Sequence, residues 1–177
     1  MIEVRLHGRG GQGAVTAVEL LAVSAAEGGK WTQSFPFFGV ERTGAPVQAF
    51  CRIDEKPVRV HQNVYEPDIV MVLDASLLSV TDVTSGLKKN GIVIVNTKKS
   101  KKELGISGEQ VFIVDANGIA LKHLGKPIVN TAMLGAFAKV TGLVPLDALK
   151  RAIRHRFKGE IAEKNVAAIE ECYNSTA

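Results

Sequence analysis

The stretch IEVRLHGRGGQGAV, Ile2–Val15, places a short apolar strand directly before a glycine cluster and the start of a helix. Gly8, Gly10 and Gly13 fit the spacing G-x-G-x-x-G, which between a strand and a helix is typical of phosphate-binding turns. Glycine permits positive φ and has no Cβ to block a ligand, and free N–H groups at a helix start attract anions. The residues predicted to contact a phosphate or an active site are Gly8, Arg9, Gly10, Gly11, Gln12 and Gly13.

Dinucleotide binding by this loop is disfavoured, because it requires an acidic residue about 20 residues after the glycines to hold a ribose. The corresponding region, Lys30–Ser34, contains no acid, and Glu41 comes too late and in a loop. No recognisable catalytic set for hydride transfer is present either. Two interpretations stay open at this point: an anion contact supplemented by the Arg9 guanidinium, and a tight turn without a ligand.

Beyond the glycine cluster, strands alternate with helical patterns, which predicts an α/β layered fold with a mostly parallel sheet. Ile69–Leu73, Ile92–Val95 and Val111–Val114 are continuous apolar runs, typical of strands buried on both faces. Val47–Ile53 and Lys56–Val60 flank a two-residue turn, so we predict an antiparallel hairpin insertion there. Helices are predicted over 14–27, 76–87, 116–124, 131–140, 146–157 and 160–173.

Length and composition indicate one soluble globular domain over residues 1–177, since domains usually have about 100–200 residues. Hydrophobic residues make up 46% and charged residues 23%, which excludes disordered, collagen-like and coiled-coil classes. No apolar stretch approaches the ~20 residues of a membrane span, and no signal peptide is visible, so we expect a cytoplasmic protein. The net charge of +4 permits an anionic ligand or an acidic partner without requiring either.

Cysteine and histidine usage argues against a metal centre. Cys51 and Cys172 are too few for an iron–sulfur cluster that needs four thiolates, or for a zinc site of four cysteines. The four histidines are scattered without ligand spacing, so no metal site is predicted. Basic residues within Lys150–Lys158 rim an amphipathic helix without interleaved aromatic residues, which disfavours nucleic-acid binding.

A second motif is a phenylalanine-rich loop with a polar end. Phe35, Phe37 and Phe38 fall within four residues, and an exposed apolar loop marks a partner surface, whereas a buried one would fill the edge of the core. Arg42 is a candidate anion clamp, or else a surface pair with its neighbour. The predicted interface or clamp residues are Phe35, Phe37, Phe38, Glu41, Arg42 and Thr43.

Three motifs together resemble the gamma subunits of 2-oxoacid:ferredoxin oxidoreductases, and most closely those of the four-subunit pyruvate enzymes. They are His7–Gly13, Phe35–Pro46 and Asn130–Ala136, in matching order and spacing along essentially the whole chain. The resemblance implies a Rossmann-like, three-layer fold. It also implies an enzyme that oxidatively decarboxylates a 2-oxoacid, with pyruvate favoured, and uses CoA to form acyl-CoA and CO2 while reducing ferredoxin.

The resemblance further implies that the isolated chain is inactive. Thiamine diphosphate, Mg and the iron–sulfur clusters would be carried by the alpha, beta and delta subunits, with the 2-oxoacid and CoA as substrates. The glycine loop would contact the CoA phosphates or the substrate side of the thiamine site, and no catalytic residue is assigned to this chain. The alternatives are a free-standing nucleotide-binding protein, a gamma subunit for 2-oxoglutarate or branched 2-oxoacids, and a purely structural adaptor.

Overall fold

A computed structural model describes residues 1–37, 42–106 and 110–177 and shows a six-stranded mixed sheet flanked by helices. The spatial order of the strands is β2-β3-β1-β4-β5-β6. The strands are β1 (Ile2–Arg9), β2 (Trp31–Pro36), β3 (Pro46–Asp54), β4 (Ile69–Val72), β5 (Ile92–Asn96) and β6 (Gln110–Val114). The predicted α/β class with a mostly parallel sheet is confirmed.

A single strand of this sheet, β3, runs opposite to the other five. β1, β4, β5 and β6 are parallel to one another, with Leu6 opposite Met71 and Met71 opposite Ile94. β3 is antiparallel to both of its neighbours, pairing Val4 with Cys51 on β1 and Cys51 with Ser34 on β2. β1 and β2 therefore run in the same direction, with β3 inserted between them.

The five α-helices of the described residues cover one face of the sheet. They are α1 (Ala14–Glu27), α2 (Ala116–Leu124), α3 (Ala132–Thr141), α4 (Leu146–Arg156) and α5 (Gly159–Ser175). Val4, Leu6, Met71 and Ile94 point from the strands into the core that these helices share. The apolar sequence of α3 is explained by its position, since seven consecutive residues from Ala132 to Ala138 are buried. No helix among the described residues is long and apolar enough to cross a membrane.

The opposite face carries a thinner layer of short 3-10 helices and turns. Two 3-10 helices, Ala75–Ser79 and Lys101–Leu104, belong to the connections between β4 and β5 and between β5 and β6. A smaller apolar cluster lies beneath them, formed by Val70, Val72, Leu77, Val83, Val93 and Val95. The three layers are thus unequal in thickness, because the crossovers on this face are turns in place of full helices.

The predicted hairpin between Val47–Ile53 and Lys56–Val60 is wrong. β3 includes the first segment, but it pairs with β1 and β2, and the second segment is not a strand. The guanidinium of Arg52 donates to the carbonyl oxygens of Val60 (3.4 Å) and Gln62 (2.7 Å). These bonds hold the chain after β3 across the sheet face, which prevents it from lying alongside β3.

The predicted helix over 76–87 is also wrong, because only Ala75–Ser79 is helical and it has 3-10 geometry. The Asp82 carboxylate accepts from the backbone N–H of Thr84 at 3.0 Å and from its hydroxyl at 2.8 Å. Gly86 then takes φ 72°. Such side-chain bonds to nearby backbone offer an alternative to helical hydrogen bonds, and they turn the chain back toward β5.

Candidate functional site

The glycine loop lies at the carboxyl end of the parallel strands, where the connections diverge. From β1 the chain passes through α1 to β2 and β3, whereas from β4 it continues toward β5 and β6 on the other side. Ligands in open α/β sheets bind at such a point, outside the carboxyl ends of the strands. The fold therefore places Arg9–Gly13 and the residues after β4 at the position expected for a ligand.

The start of α1 supplies unfilled hydrogen-bond donors to this edge. Its N-cap is Gly13, which has φ 75° and no side chain, and Gly11 has φ 92°. The helix N-terminus carries partial positive charge and N–H groups that have no partner within the helix. A Cβ built on Gly11 would meet no atom within 4 Å, so this glycine faces open space. The arrangement is suited to binding an anionic group.

The Arg9 side chain is held in place by the residues that follow β4. Its Nε lies 3.1 Å from Asp74 Oδ2, and its Nη2 donates to the Ser76 hydroxyl at 2.7 Å. Its Nη1 donates to the Gly44 carbonyl oxygen at 3.0 Å. Each of the three guanidinium nitrogens therefore already donates one hydrogen bond within the protein. The predicted role of Arg9 as a phosphate donor is restricted to its remaining N–H groups.

Gln12 and Asp74 complete this network. Gln12 Oε1 accepts from the Arg9 backbone N–H at 2.8 Å, and Gln12 Nε2 donates to Asp74 Oδ2 at 3.2 Å. Burial by itself would raise the pKa of Asp74. Hydrogen bonds from Ser76 and Gln12, together with the charge of Arg9, outweigh burial and lower the pKa of this carboxyl below its usual value. Asp74 is consequently an ionised carboxylate that fixes both loop side chains.

Two of the motif glycines are required by close contacts within the chain. A Cβ on Gly10 would overlap the carbonyl oxygen of Arg42, and one on Gly13 would overlap the side-chain amide of Asn130. Gly10 N–H donates to Ala45 O at 2.8 Å, and Asn130 Nδ2 donates to Gly13 O at 3.2 Å. The space that a pyrophosphate would need above the second glycine of a dinucleotide site is thus occupied by the protein's own backbone.

A surface groove of about 270 Å³ runs beside the loop. It is lined by Arg9, Gly10, Gly11, Gly13, Ala14, Val15, Thr16, Val47 and Gln48. Its volume is just below the range of roughly 300–1,000 Å³ typical of small-molecule pockets, so it suits part of a ligand more than a complete dinucleotide. The sheet order agrees, because β2, which neighbours β1 in a dinucleotide fold, is separated from it here by β3.

The phenylalanine-rich segment is divided between the core edge and the surface. Phe35 belongs to β2, where its ring packs on Phe50 with centroids 5.1 Å apart and lies 5.2 Å from the Arg52 guanidinium. Phe37 is 44% exposed at the end of this strand. Arg42 and Thr43 are exposed beside the glycine loop, through the isolated bridge between Gly10 and Thr43. Phe38 and Glu41 lie outside the described residues.

Sequence reasoning did not identify Asp74, Ser76 and Asn130 as parts of this edge. A usable signal existed for the first two, since polar residues directly after an apolar strand of a parallel sheet lie at its carboxyl end. Asn130 offered no such signal, because its contact with Gly13 joins positions more than a hundred residues apart. Its side-chain oxygen is buried without a hydrogen-bond partner among the described residues.

The buried histidine and the two buried cysteines of the described residues do not form a reactive centre. His7 is buried, and burial together with the neighbouring charge of Arg5 lowers its pKa to about 3. Cys51 and Cys172 are buried as well, and burial raises the pKa of each thiol to about 12. Within residues 1–37, 42–106 and 110–177, no three His, Cys, Asp or Glu side chains are grouped as metal ligands. The functional groups at the carboxyl end of the strands, around the glycine loop, are therefore suited to binding and positioning a ligand.

Comparison with known proteins gives matches along nearly the whole chain. The profile of the family described as pyruvate ferredoxin/flavodoxin oxidoreductase matches residues 3–175. The chain is 59% identical over 180 residues to the pyruvate/ketoisovalerate oxidoreductases common subunit gamma of Thermococcus kodakarensis, covering 99% of this chain and 97% of that protein. It is 56% identical over 174 residues to pyruvate synthase subunit PorC of Methanocaldococcus jannaschii, covering 98% and 96% respectively.

A solved structure agrees with these matches. The crystal structure of pyruvate oxidoreductase subunit PORC from Thermotoga maritima has a TM-score of 0.88 to this chain at 40% sequence identity. The alignment covers 99% of this chain and 97% of that one, so the two share the fold from end to end. The resemblance carried by the three sequence motifs is confirmed: the chain belongs to the pyruvate ferredoxin/flavodoxin oxidoreductase family, among its gamma-type subunits.

Proposed function

We propose that this chain is the gamma subunit of a complex that oxidatively decarboxylates pyruvate, uses CoA to form acyl-CoA and CO2, and reduces ferredoxin. The names of the Methanocaldococcus jannaschii and Thermotoga maritima relatives support pyruvate as the substrate. The Thermococcus kodakarensis relative is named as common to pyruvate and ketoisovalerate oxidoreductases. This sharing supports placing the choice between 2-oxoacids on other subunits.

The cofactors are proposed to reside on partner chains, the alpha, beta and delta subunits of the proposed complex. Cys51 and Cys172 do not fit an iron–sulfur cluster, because a cluster is held by four thiolates and this sequence has two cysteines. In the part of the chain that the structure describes, no three acidic, histidine or cysteine side chains are grouped to hold the Mg that accompanies thiamine diphosphate. When bound on those partners, thiamine diphosphate supplies carbanion stabilisation and the clusters supply one-electron transfer.

The contribution proposed for this chain is a contact with an anionic group of CoA or of the thiamine-side substrate. The observation that carries it is the rigid glycine loop, which Arg9, Gln12 and Asp74 hold beside the uncapped start of α1. Backbone N–H groups and the free N–H groups of Arg9 face the same edge and would orient a phosphate without chemical steps of their own.

Purification of the native complex through a tag on this chain tests the proposed activity. CoA-dependent ferredoxin reduction is measured with pyruvate, 2-oxoglutarate and 2-ketoisovalerate. We expect pyruvate to give the highest kcat/KM and the isolated chain to give no turnover. Recovery of the chain without partners, together with a bound nucleotide, would instead support the free-standing nucleotide-binding protein.

The loop contact is tested with two variants at the open glycine. Gly11→Asp and Gly11→Asn impose the same backbone strain at positive φ, but only the first adds a negative charge. If the loop contacts a CoA phosphate, Gly11→Asp raises the KM for CoA by about tenfold over Gly11→Asn, as expected for roughly 1.4 kcal/mol of repulsion. Equal KM values in both variants would reduce the loop to a structural turn.

A further inference from the structure

The two edge strands of the sheet, β6 and β2, differ in whether another segment of the chain pairs with their outer side. At the β6 edge, Ile113 N–H donates to Ala177 O at 2.9 Å and Ala177 N–H donates to Ile113 O at 3.2 Å. Ala177 thereby occupies the outer side of β6 near its carboxyl end. β2 forms the other edge, and in the described part of the chain nothing pairs with its outer side. An uncovered edge strand presents a row of unpaired backbone groups to other chains.

The register identifies which groups are unpaired. Phe37 N–H donates to Gln48 O at 3.0 Å, and Phe35 lies opposite Phe50 in the same antiparallel ladder. Because hydrogen-bonded pairs alternate along such a ladder, Gln33 and Phe35 bond to β3. Thr32 and Ser34 therefore direct their N–H and C=O groups away from the sheet. They form the hydrogen-bonding edge that another strand would use.

A groove for side chains runs directly beside this edge. It has a volume of about 460 Å³ and lies between β2, α1 and α4. Its apolar lining includes Leu20, Val23 and Ala152, and Val23 is 50% exposed. On the opposite face of β2, Trp31 is 55% exposed. A strand added at this edge would place alternate side chains into the groove and onto Trp31.

The charge around the groove favours an acidic occupant. Earlier along α4, Arg151 pairs with Glu27 at 3.1 Å and Arg154 pairs with Glu163 at 2.8 Å. Arg156 lines the groove, and no carboxylate of the described residues lies within ion-pair distance of it. Glu19 is the acidic residue of the lining and stands on α1. The basic residues earlier in α4 thus form ion pairs within the protein, whereas Arg156, at the end of α4 that borders β2, does not form one with the described residues.

We propose that the β2 edge binds an extended, acidic segment of another subunit of the complex as an additional strand of the sheet. Backbone groups of Thr32 and Ser34 would supply the hydrogen bonds, the groove would accept apolar side chains, and Arg156 would pair with a carboxylate. This inference rests on the proposed function, because the occupant is taken to be a partner subunit. It assigns a role to the basic end of α4, which the edge formed by the glycine loop does not use.

Amide hydrogen exchange with single-residue resolution is the direct test, comparing the isolated chain with the purified complex. In the isolated chain, the amides of Gln33 and Phe35 exchange slowly and those of Thr32 and Ser34 exchange rapidly. In the complex, we expect the amides of Thr32 and Ser34 to slow by about tenfold or more, because each acquires an acceptor. Unchanged rapid exchange of these two amides in an intact, active complex would overturn the proposal while leaving the proposed function standing.

Substitutions provide an independent readout through the Kd of this chain for the remaining subunits. Ser34→Pro removes one outward N–H without breaking a bond to β3, and Ser34→Ala is its control with the N–H retained. Arg156→Glu reverses the charge at the groove, and Arg59→Glu makes the same change at an exposed position outside the groove lining. We expect Ser34→Pro and Arg156→Glu to weaken binding by about tenfold relative to their controls.

The outcomes separate the possible occupants. Protection of Thr32 and Ser34 already present in the isolated chain, with a dimer that Ser34→Pro dissociates, would assign the edge to a second copy and overturn the partner segment. Equal binding by each variant and its control, with melting temperatures showing that all are folded, would also contradict it. Failure of any complex to form with the native partners would instead contradict the proposed function.

Discussion

The carbonyl oxygen of Arg42 occupies the position where a Cβ of Gly10 would lie. Two backbone hydrogen bonds accompany this contact, from Gly10 N–H to Ala45 O at 2.8 Å and from Gly44 N–H to Gly10 O at 3.0 Å. The glycine loop and the segment after the phenylalanine-rich motif are therefore one structural unit. This explains why both motifs occur together in the sequence, although about thirty residues separate them.

Gly10→Ala is expected to destabilise the protein, because backbone atoms cannot move aside as a flexible side chain can. We expect the free energy of unfolding to fall by about 1–3 kcal/mol, the usual cost of overpacking. Urea denaturation measures the change. Thr43→Ala is the control, since it removes an exposed side chain from the same junction and should change stability by less than about 0.5 kcal/mol. Equal effects of the two substitutions would contradict the contact.

The buried His7 makes stability depend on pH. Its Nε2 accepts from Arg5 Nε at 3.0 Å, so the native state requires the neutral imidazole. Burial and the charge of Arg5 lower its pKa from 6.5 to about 3, so between these values the unfolded chain binds the proton more readily. Stability contributed by neutral His7 is fully present above pH 6.5. It decreases as pH falls toward 3, by up to about 1.4 kcal/mol per pH unit.

Denaturation between pH 7 and pH 4.5 isolates this contribution when the wild type is compared with His7→Gln. Glutamine keeps a carbonyl acceptor for Arg5 but does not titrate, so the variant should lose less stability on acidification. The exposed His61, changed to Gln, is the matched control and should follow the wild-type curve. A His7→Gln curve parallel to the wild type would show that other groups, such as Asp74, account for the acid sensitivity.

Arg52 is the largest fully buried side chain of the described residues, and it joins β1, β2 and the segment that follows β3. Its Nε bonds to Glu3 Oε1 at 2.9 Å and its Nη1 bonds to Gln33 Oε1 at 2.9 Å. Arg52→Ala should cost about 3–5 kcal/mol, because it leaves Glu3 and backbone carbonyl groups without their donor. Arg151→Ala removes an exposed ion pair and should cost at most about 1 kcal/mol. Urea denaturation measures the free energy of unfolding of both variants. Similar losses in the two variants would contradict the prediction that the buried arginine contributes more.

Both thiols should be unreactive in the native protein. Cys51 and Cys172 are buried, and their raised pKa values keep them protonated at neutral pH. Titration with a chromogenic disulfide reagent at pH 8 should show no rapid reaction in buffer and two reacting thiols in guanidinium chloride. A rapidly reacting thiol in buffer would contradict their assignment as packing residues and reopen a redox role for this chain.

Sequence patterns correctly predicted the strands and helices that are specified by neighbouring residues in the chain. Continuous apolar runs identified β4, β5 and β6, and α1 begins and ends at the predicted residues because glycines flank it. The hairpin was mispredicted because the placement of β3 depends on its pairing with β1 and on the burial of Arg52, a residue type that usually lies at the surface. Neither property is visible in a short window of sequence.

The candidate site was likewise predictable only in part. The glycine spacing identified the loop, and the helix start explains its suitability for an anion. The bond between Arg9 and Asp74 joins residues 65 positions apart, and the contact between Gly10 and Arg42 depends on the path of an irregular loop. Consequently, the sequence indicated which residues reach the edge, whereas the structure shows which of their donors are already used.

Among the strands that the structure describes, β3 alone attaches β2 to the sheet. β1 and β2 are joined in sequence by α1, yet they share no hydrogen bond, since β3 lies between them along the full length of β2. Any local opening that releases β3 from β1 therefore separates β2 from the rest of the sheet as well. The position of the outer edge of β2 thus depends on a pairing, β3 with β1, that a partner on that edge would never touch.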